Sequence, residues 1–204
     1  MEIILATGNK NKIREIKEIL KGLDITILSI TDFADYPKTI EDGETIAENA
    51  VKKAKEAALF FKKWAMADDT GLEVEYLNGA PGVYSARYAG KHCSYKDNNE
   101  KLLRELKGLQ QEHRKASFKC VIALSSPEGL ITTVEGQIDG LIAEAERGQN
   151  GFGYDAVFFI PQYGKTFAEL DGAIKNKISH RGQAVIAVRE RILSMLAENA
   201  AQFC

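Results

Sequence analysis

Four short segments hold most of the residues whose types and spacing suit chemistry on an anionic ligand: Thr7-Gly8-Asn9-Lys10-Asn11-Lys12, Asp68-Asp69-Thr70-Gly71, Gly151-Phe152-Gly153-Tyr154-Asp155 and Ser179-His180-Arg181, with Lys175 just ahead of the last. Each is weak alone. Together they divide the labour that cleavage of a nucleotide anhydride requires. They offer donors for phosphate, a carboxylate for a metal ion, an aromatic face for a base, and fixed donors to read the edge of that base.

In the first segment Gly8 lets a ligand approach the backbone, and the helix that follows offers N–H groups and the positive end of its dipole. Lys12 and Lys10 add charge for phosphate oxygens, while the Thr7 hydroxyl and Asn9 amide add directional bonds. The segment has neither P-loop nor G-x-G-x-x-G spacing, and an ordinary strand-to-helix turn with solvated lysines is its competing explanation. Asp68 and Asp69, expected at a strand end beside a chain reversal at Thr70-Gly71, are candidate oxygen ligands for a divalent ion, with magnesium the natural candidate. An ordinary aspartate is ionised at neutral pH and is a poor base, so Asp69 reads first as a metal ligand and water-orienter. Asp68 reads equally as a hydrogen-bonding residue of a turn. Glu41, Asp42, Glu44 and Glu48 are further candidates for the ion; the alternatives are a solvated loop and, for Glu48, a helix cap.

Phe152, framed by glycines, is a candidate platform for a flat ring, against the alternative of a loop whose aromatics plug the core. Arg181 as a buried donor would favour a 6-oxopurine, which presents an acceptor where adenine presents an amino group. A site built on such bonds discriminates by roughly 10⁴. The alternative for His180 and Arg181 is helix capping and surface charge, although a cation at a helix N-terminus opposes the dipole and calls for a partner.

The elements that must position these residues follow from apolar spacing. Ile3 to Ala6 predicts a strand, and Ile13, Ile16, Ile19 and Leu20 a helix after the glycine turn. A capping box at Thr45 opens a second helix with Ala47, Ala50, Val51, Ala54, Ala58 and Phe61 on one face and Lys53 on its flank. Trp64 to Ala67 predicts a short strand delivering the two aspartates at its end. Asp97 to Glu100 predicts the start of a third helix. Residues 117–124 and 130–138 predict a hairpin, residues 156–160 a further strand, and Arg181 onward a last helix. The expectation is one α/β domain over residues 1–204, with a mixed central sheet flanked by helices and bent into two lobes around a central cleft.

Composition bounds the function. The 204 residues, 45% hydrophobic and 27% charged, suffice for a soluble core. A net charge of −2 with interleaved lysines and acids gives no nucleic-acid surface. Cys93, Cys120 and Cys204 lack disulfide or zinc spacing and read as thiols of a cytoplasmic protein. No leader or membrane segment is expected.

With these segments in view, the sequence resembles the inosine triphosphate pyrophosphatase family, the non-standard purine nucleoside triphosphate pyrophosphatases also called XTP/dITP diphosphatases. The resemblance runs nearly end to end. It includes Glu48-Asn49-Ala50, the stretch Gly79-Ala80-Pro81-Gly82-Val83-Tyr84-Ser85-Ala86-Arg87-Tyr88, and Lys175-Asn176 ahead of Ser179-His180-Arg181. It implies Mg²⁺-dependent hydrolysis of ITP, dITP and XTP to the monophosphate and pyrophosphate by a homodimer that clears deaminated purines from the nucleotide pool. It also implies that Thr7, Gly8, Asn9, Lys10, Asn11, Lys12 and Lys53 hold phosphates. Asp69 would be the catalytic carboxylate and a metal ligand together with Glu41. Thr70, Phe152, Gly153, Tyr154, Asp155, Lys175, His180 and Arg181 would bind substrate. Thr70 stands where serine is usual, keeping a hydroxyl, and Ala156 where proline is common. A nucleotide-binding protein without hydrolysis, a pyrophosphatase for methylated pyrimidine nucleotides, and an interaction scaffold are the competing functions.

Overall fold

The N-terminal apolar run forms β1 (Glu2–Leu5) and passes through the glycine turn into α1 (Lys10–Ile19), whose N-cap is Asn9. The structure, a computed structural model, describes residues 1–201, so Cys204 lies outside the described residues. After β2 (Thr26–Ser29) comes α2 (Ile46–Phe61), opened by the expected capping box: the Thr45 hydroxyl accepts from Glu48 N and the Glu48 carboxylate accepts from Thr45 N. Glu48 is thus a cap. β3 (Trp64–Val74) does not stop at the aspartates; it runs through them, and no chain reversal follows Asp69. The reading of a short strand ending there undercounted Leu72 and Val74, which are apolar and buried.

Beyond β4 (Pro81–Gly82), α3 (Tyr95–Glu105) begins earlier than expected, because Ser94 is its N-cap and Asp97 completes that capping box from the first turn. The long strands β5 (Lys115–Ser126) and β6 (Gly129–Ile142) contain the expected hairpin pair, followed by β7 (Phe158–Ile160), β8 (Lys165–Thr166), α4 (Gly172–Ile178) and α5 (His180–Ala201). The mixed sheet runs in the order β2-β1-β3-β5-β6-β7-β8, with β4 paired to β3. β1 is parallel to β2 and to β3, while β6, β7 and β8 pair antiparallel. Among the described residues no helix is long and apolar enough to cross a membrane.

The chain divides into two compact units. The first comprises Met1–Asp69, Cys120–Gly136 and the residues from Arg181 on; the second comprises Thr70–Lys119 and Gln137–His180. In the first, strand alternation sorts side chains onto two faces. Ile3, Leu5, Met66, Ile122 and Leu124 pack with Ile16 of α1, its C-cap Leu20, and Val185, Val188 and Ile192 of α5. Ile4, Ala65, Ala67, Val121 and Ala123 pack with Ala50, Ala54, Ala57 and Ala58 of α2. Alanines on both sides of that second layer bring α2 close to the strands, and Lys53 lies inside its small-residue stripe, buried rather than on the flank. The second unit is built around Phe118, Phe158 and Phe167, with Leu102 of α3, its C-cap Leu106, and Leu72 and Val74 of β3. Cys93 is a half-buried thiol and Cys120 a buried one.

Candidate functional site

In the first unit the turn after β1 is organised by its own side chains. Asn9 Oδ1 accepts from Asn11 N at 3.0 Å and Lys12 N at 3.4 Å, so the Asn9 oxygen serves the start of α1. Asn9 N donates to the Thr7 hydroxyl at 3.3 Å, and the Ser29 hydroxyl donates to Thr7 O at 3.3 Å. Gly8 has no left-handed backbone, and a Cβ there would meet nothing nearer than Thr31 Cγ2 at 3.8 Å. Neither strain nor crowding calls for glycine at this exposed position; what its absent side chain leaves open is access to the backbone. Lys10 is exposed and Asn11 half-buried on the first turn of α1.

Period-two alternation along β3 sends Asp68 and Asp69 to opposite faces. Asp68, on the α1 and α5 side, is almost fully buried; its Oδ2 receives Lys12 Nζ at 2.9 Å and Arg181 Nε at 3.1 Å. Burial alone would raise its carboxyl, but the charges of Lys12, Arg181 and Lys53 outweigh it and hold Asp68 well below the ordinary 3.8. Arg181 NH1 reaches Glu15 Oε2 at 2.7 Å, and both side chains are buried. The cation that sequence reasoning left needing a partner at the start of α5 therefore meets Asp68 and Glu15. That reading gave Arg181 to a base edge; the structure places its Nε and NH1 on carboxylates of the first unit. Sequence reasoning missed Glu15, whose only signal is an acid one helical turn after Lys12 beside the apolar Ile16.

Asp69 lies on the α2 side. Lys53 Nζ donates to Asp69 Oδ1 at 2.8 Å, to Asp68 O at 2.8 Å and to Glu41 Oε1 at 3.0 Å. Burial disfavours the Lys53 charge, yet Asp69, Glu41 and Asp68 together raise its pKa, so the ammonium is held charged. For Asp69 the balance goes the other way: burial, with the charge of Glu41 beside it, raises its carboxyl more than Lys53 and Lys12 lower it. No group of three or more His, Cys, Asp or Glu that could hold a metal ion occurs among the described residues. Asp69 and Glu41 are two carboxylates held by one ammonium, a donor chemistry that fits a hard cation such as magnesium.

The second unit brings together the remaining predicted residues apart from Thr70, which is half-buried on β3. Asp155 Oδ2 accepts from Phe152 N at 2.8 Å and from Lys175 Nζ at 2.6 Å, a buried pair. Gly151 has φ +77°, and a Cβ there would stand 2.0 Å from Asp155 Oδ2, so only glycine fits this loop. Lys175 Nζ also sits 4.9 Å from the centroid of the half-buried Phe152 ring. Tyr154 is buried in the core, and its hydroxyl donates to Ser85 O at 2.9 Å. Burial comes first among the causes that push its pKa above the usual tyrosine value. The His180 ring stacks on Phe118 at 4.5 Å and 12°. The loop therefore divides its two aromatics, Tyr154 packing inward and Phe152 remaining partly open.

Comparison with known proteins places this geometry. The model of the Ham1 family matches residues 3–191. The dITP/XTP pyrophosphatase of Desulforamulus reducens is 51% identical over 91% of this chain and 92% of its own length. The dITP/XTP pyrophosphatase of Geobacter sulfurreducens is 49% identical over 93% and 96%. Among solved structures, a HAM1 protein from Coxiella burnetii superposes with a TM-score of 0.86 at 42% identity, covering 95% of this chain and 99% of that one. The Staphylococcus aureus Ham1 protein does so with 0.85 at 40% identity, covering 96% and 100%. With a family model spanning nearly the whole sequence and relatives at about half identity along more than nine-tenths of their lengths, the chain belongs to the Ham1 family.

Proposed function

We propose that this protein hydrolyses non-standard purine nucleoside triphosphates, dITP, ITP and XTP, to the monophosphate and pyrophosphate. The observation that carries the chemistry is the convergence of Asp69, Glu41 and the Asp68 carbonyl on Lys53 Nζ, with Asp68 holding Lys12 from the opposite face of the same strand. The substrate class rests on the names of the relatives at about half identity. We assign the triphosphate to the Thr7 to Lys12 turn, Lys53 and Asp69, and the base to Phe152 and the residues that fix it.

Lys12 and Lys53 then neutralise charge on phosphate oxygens, and Asp69 orients the attacking water. A P–O bond forms at the α-phosphorus as the bond to the bridging α–β oxygen breaks, and pyrophosphate leaves with that oxygen. Magnesium, held by Asp69 and Glu41, would supply Lewis-acid polarisation of the phosphates when bound. We also read the chain as a homodimer on the family resemblance, which light scattering at micromolar concentration checks. The test of the reaction is incubation with dITP and magnesium, with phosphate and pyrophosphate measured separately. Pyrophosphate with dIMP is expected. Release of orthophosphate alone would move cleavage to the terminal anhydride, and binding without turnover would favour a nucleotide sensor.

A further inference from the structure

Two adjacent asparagines on α3, Asn98 and Asn99, are almost fully buried, at 2% and 3% exposure. Asparagine is a poor helix former and its amide is costly to bury, so each needs a structural reason. Asn98 has a local one: its Oδ1 accepts from Ala89 N at 2.7 Å and from the Cys93 thiol at 3.2 Å, tying down the chain that leads into the helix. Asn99 faces the segment on the other side. Its Nδ2 donates to Glu146 Oε1 at 2.7 Å and to Gly153 O at 3.2 Å, while its Oδ1 has no partner within hydrogen-bonding distance among the described residues. Turning the amide over would set that oxygen against a carboxylate and a carbonyl, so its orientation is fixed by the two donations. The side chain is kept for its N–H groups at the expense of its acceptor.

Gly153 adopts φ +64° between the two aromatics of the loop. Holding its carbonyl fixes the Gly153–Tyr154 peptide, one residue beyond Phe152. One helical turn before Asn99, Tyr95 places its ring 6.1 Å from that of Phe152. Phe152 is thus fixed from two directions, by Asp155 and Lys175 within its own segment and by Tyr95 and Asn99 from α3.

We propose that Tyr95 and Asn99 are positioning residues for the base: they bracket the 151–155 loop and pre-set the Phe152 ring as a stacking face. This rests on the assignment of Phe152 to the base. A side chain that must be immobilised on binding weakens the ligand, and one already held does not. Loss of either support is therefore read in KM rather than in the chemical step.

The experiment measures kcat and KM for dITP in Y95A, Y95F and N99A, with thermal denaturation of each. Y95A and N99A should raise KM by about 3- to 10-fold with kcat within about twofold of wild type. Y95F, which keeps the ring, should match wild type. Tyr95 is 45% exposed, so Y95A stays informative if N99A fails to fold. An unchanged KM in Y95A, a Y95F as impaired as Y95A, or a fall in kcat that follows the loss of folded protein would each overturn the bracket while leaving the reaction intact. Absence of dITP hydrolysis by the wild-type protein would instead remove the underlying reading, and this inference with it.

Discussion

Arg181 lies between Asp68 and Glu15, and a buried guanidinium that loses one of two carboxylates keeps its charge without full compensation. Glu15→Ala is therefore expected to destabilise the protein by about 3–5 kcal/mol in denaturant unfolding. Glu15→Gln, which retains an acceptor for the guanidinium, should lose clearly less. Equal losses would show that Arg181 finds other compensation. At the other extreme of charge, Tyr154 is buried as a neutral phenol, and that burial pushes its pKa above the usual tyrosine value. Its folded form binds the proton more tightly than the unfolded form, so its contribution is fully present below pH 10 and is lost as pH rises toward the folded pKa. The slope is about 1.4 kcal/mol per pH unit. Tyr154→Phe should flatten that alkaline loss while forfeiting the bond to Ser85 O, seen as a lower stability at pH 7 and a shallower decline above pH 10. An unchanged alkaline slope would assign the loss to another group.

At the scale of the element, α2 shows what the sequence made legible. The capping box at Thr45 and Glu48 and the alanine stripe were readable because they depend on residues within two turns of one another. Lys53 was not readable as buried, since a lysine beside an apolar stripe usually extends its ammonium to water. Here Asp69 and Glu41 receive it, from 16 and 12 residues away. The same limit hid Glu15, whose partner Arg181 lies 166 residues along the chain, and Asn99, bonded to Glu146 47 residues on. It also misplaced the end of β3, where two aspartates looked like a terminus although alternation gives each a charged partner on its own face. The small residues of α2 have a measurable role. Ala54 is fully buried against the sheet, so Ala54→Leu should cost about 1–3 kcal/mol by overpacking. A neutral result would mean that α2 can move away from the strands without penalty.

Across the whole molecule, polar residues of the first unit concentrate opposite charges around β3, while those of the second organise an aromatic loop. The four segments singled out in the sequence fall in these two settings. Lys12, Lys53, Asp68, Asp69 and Arg181 are joined by ion pairs in the first, and Phe152, Asp155 and Lys175 by the loop network of the second. Motif order singled out these residues; what it could not convey was which charged residues serve the fold. Asp68 anchors Lys12 and Arg181, and Asp69 is the acid that faces Glu41 and Lys53. The most direct measurement is pyrophosphate release from dITP by Asp69→Asn beside Asp68→Asn and wild type, with the folded fraction of each determined in parallel. Asp69→Asn should remain folded and lose at least about a hundredfold in turnover, whereas Asp68→Asn should show its main loss in stability. Near-normal pyrophosphate release by a folded Asp69→Asn protein would contradict the account.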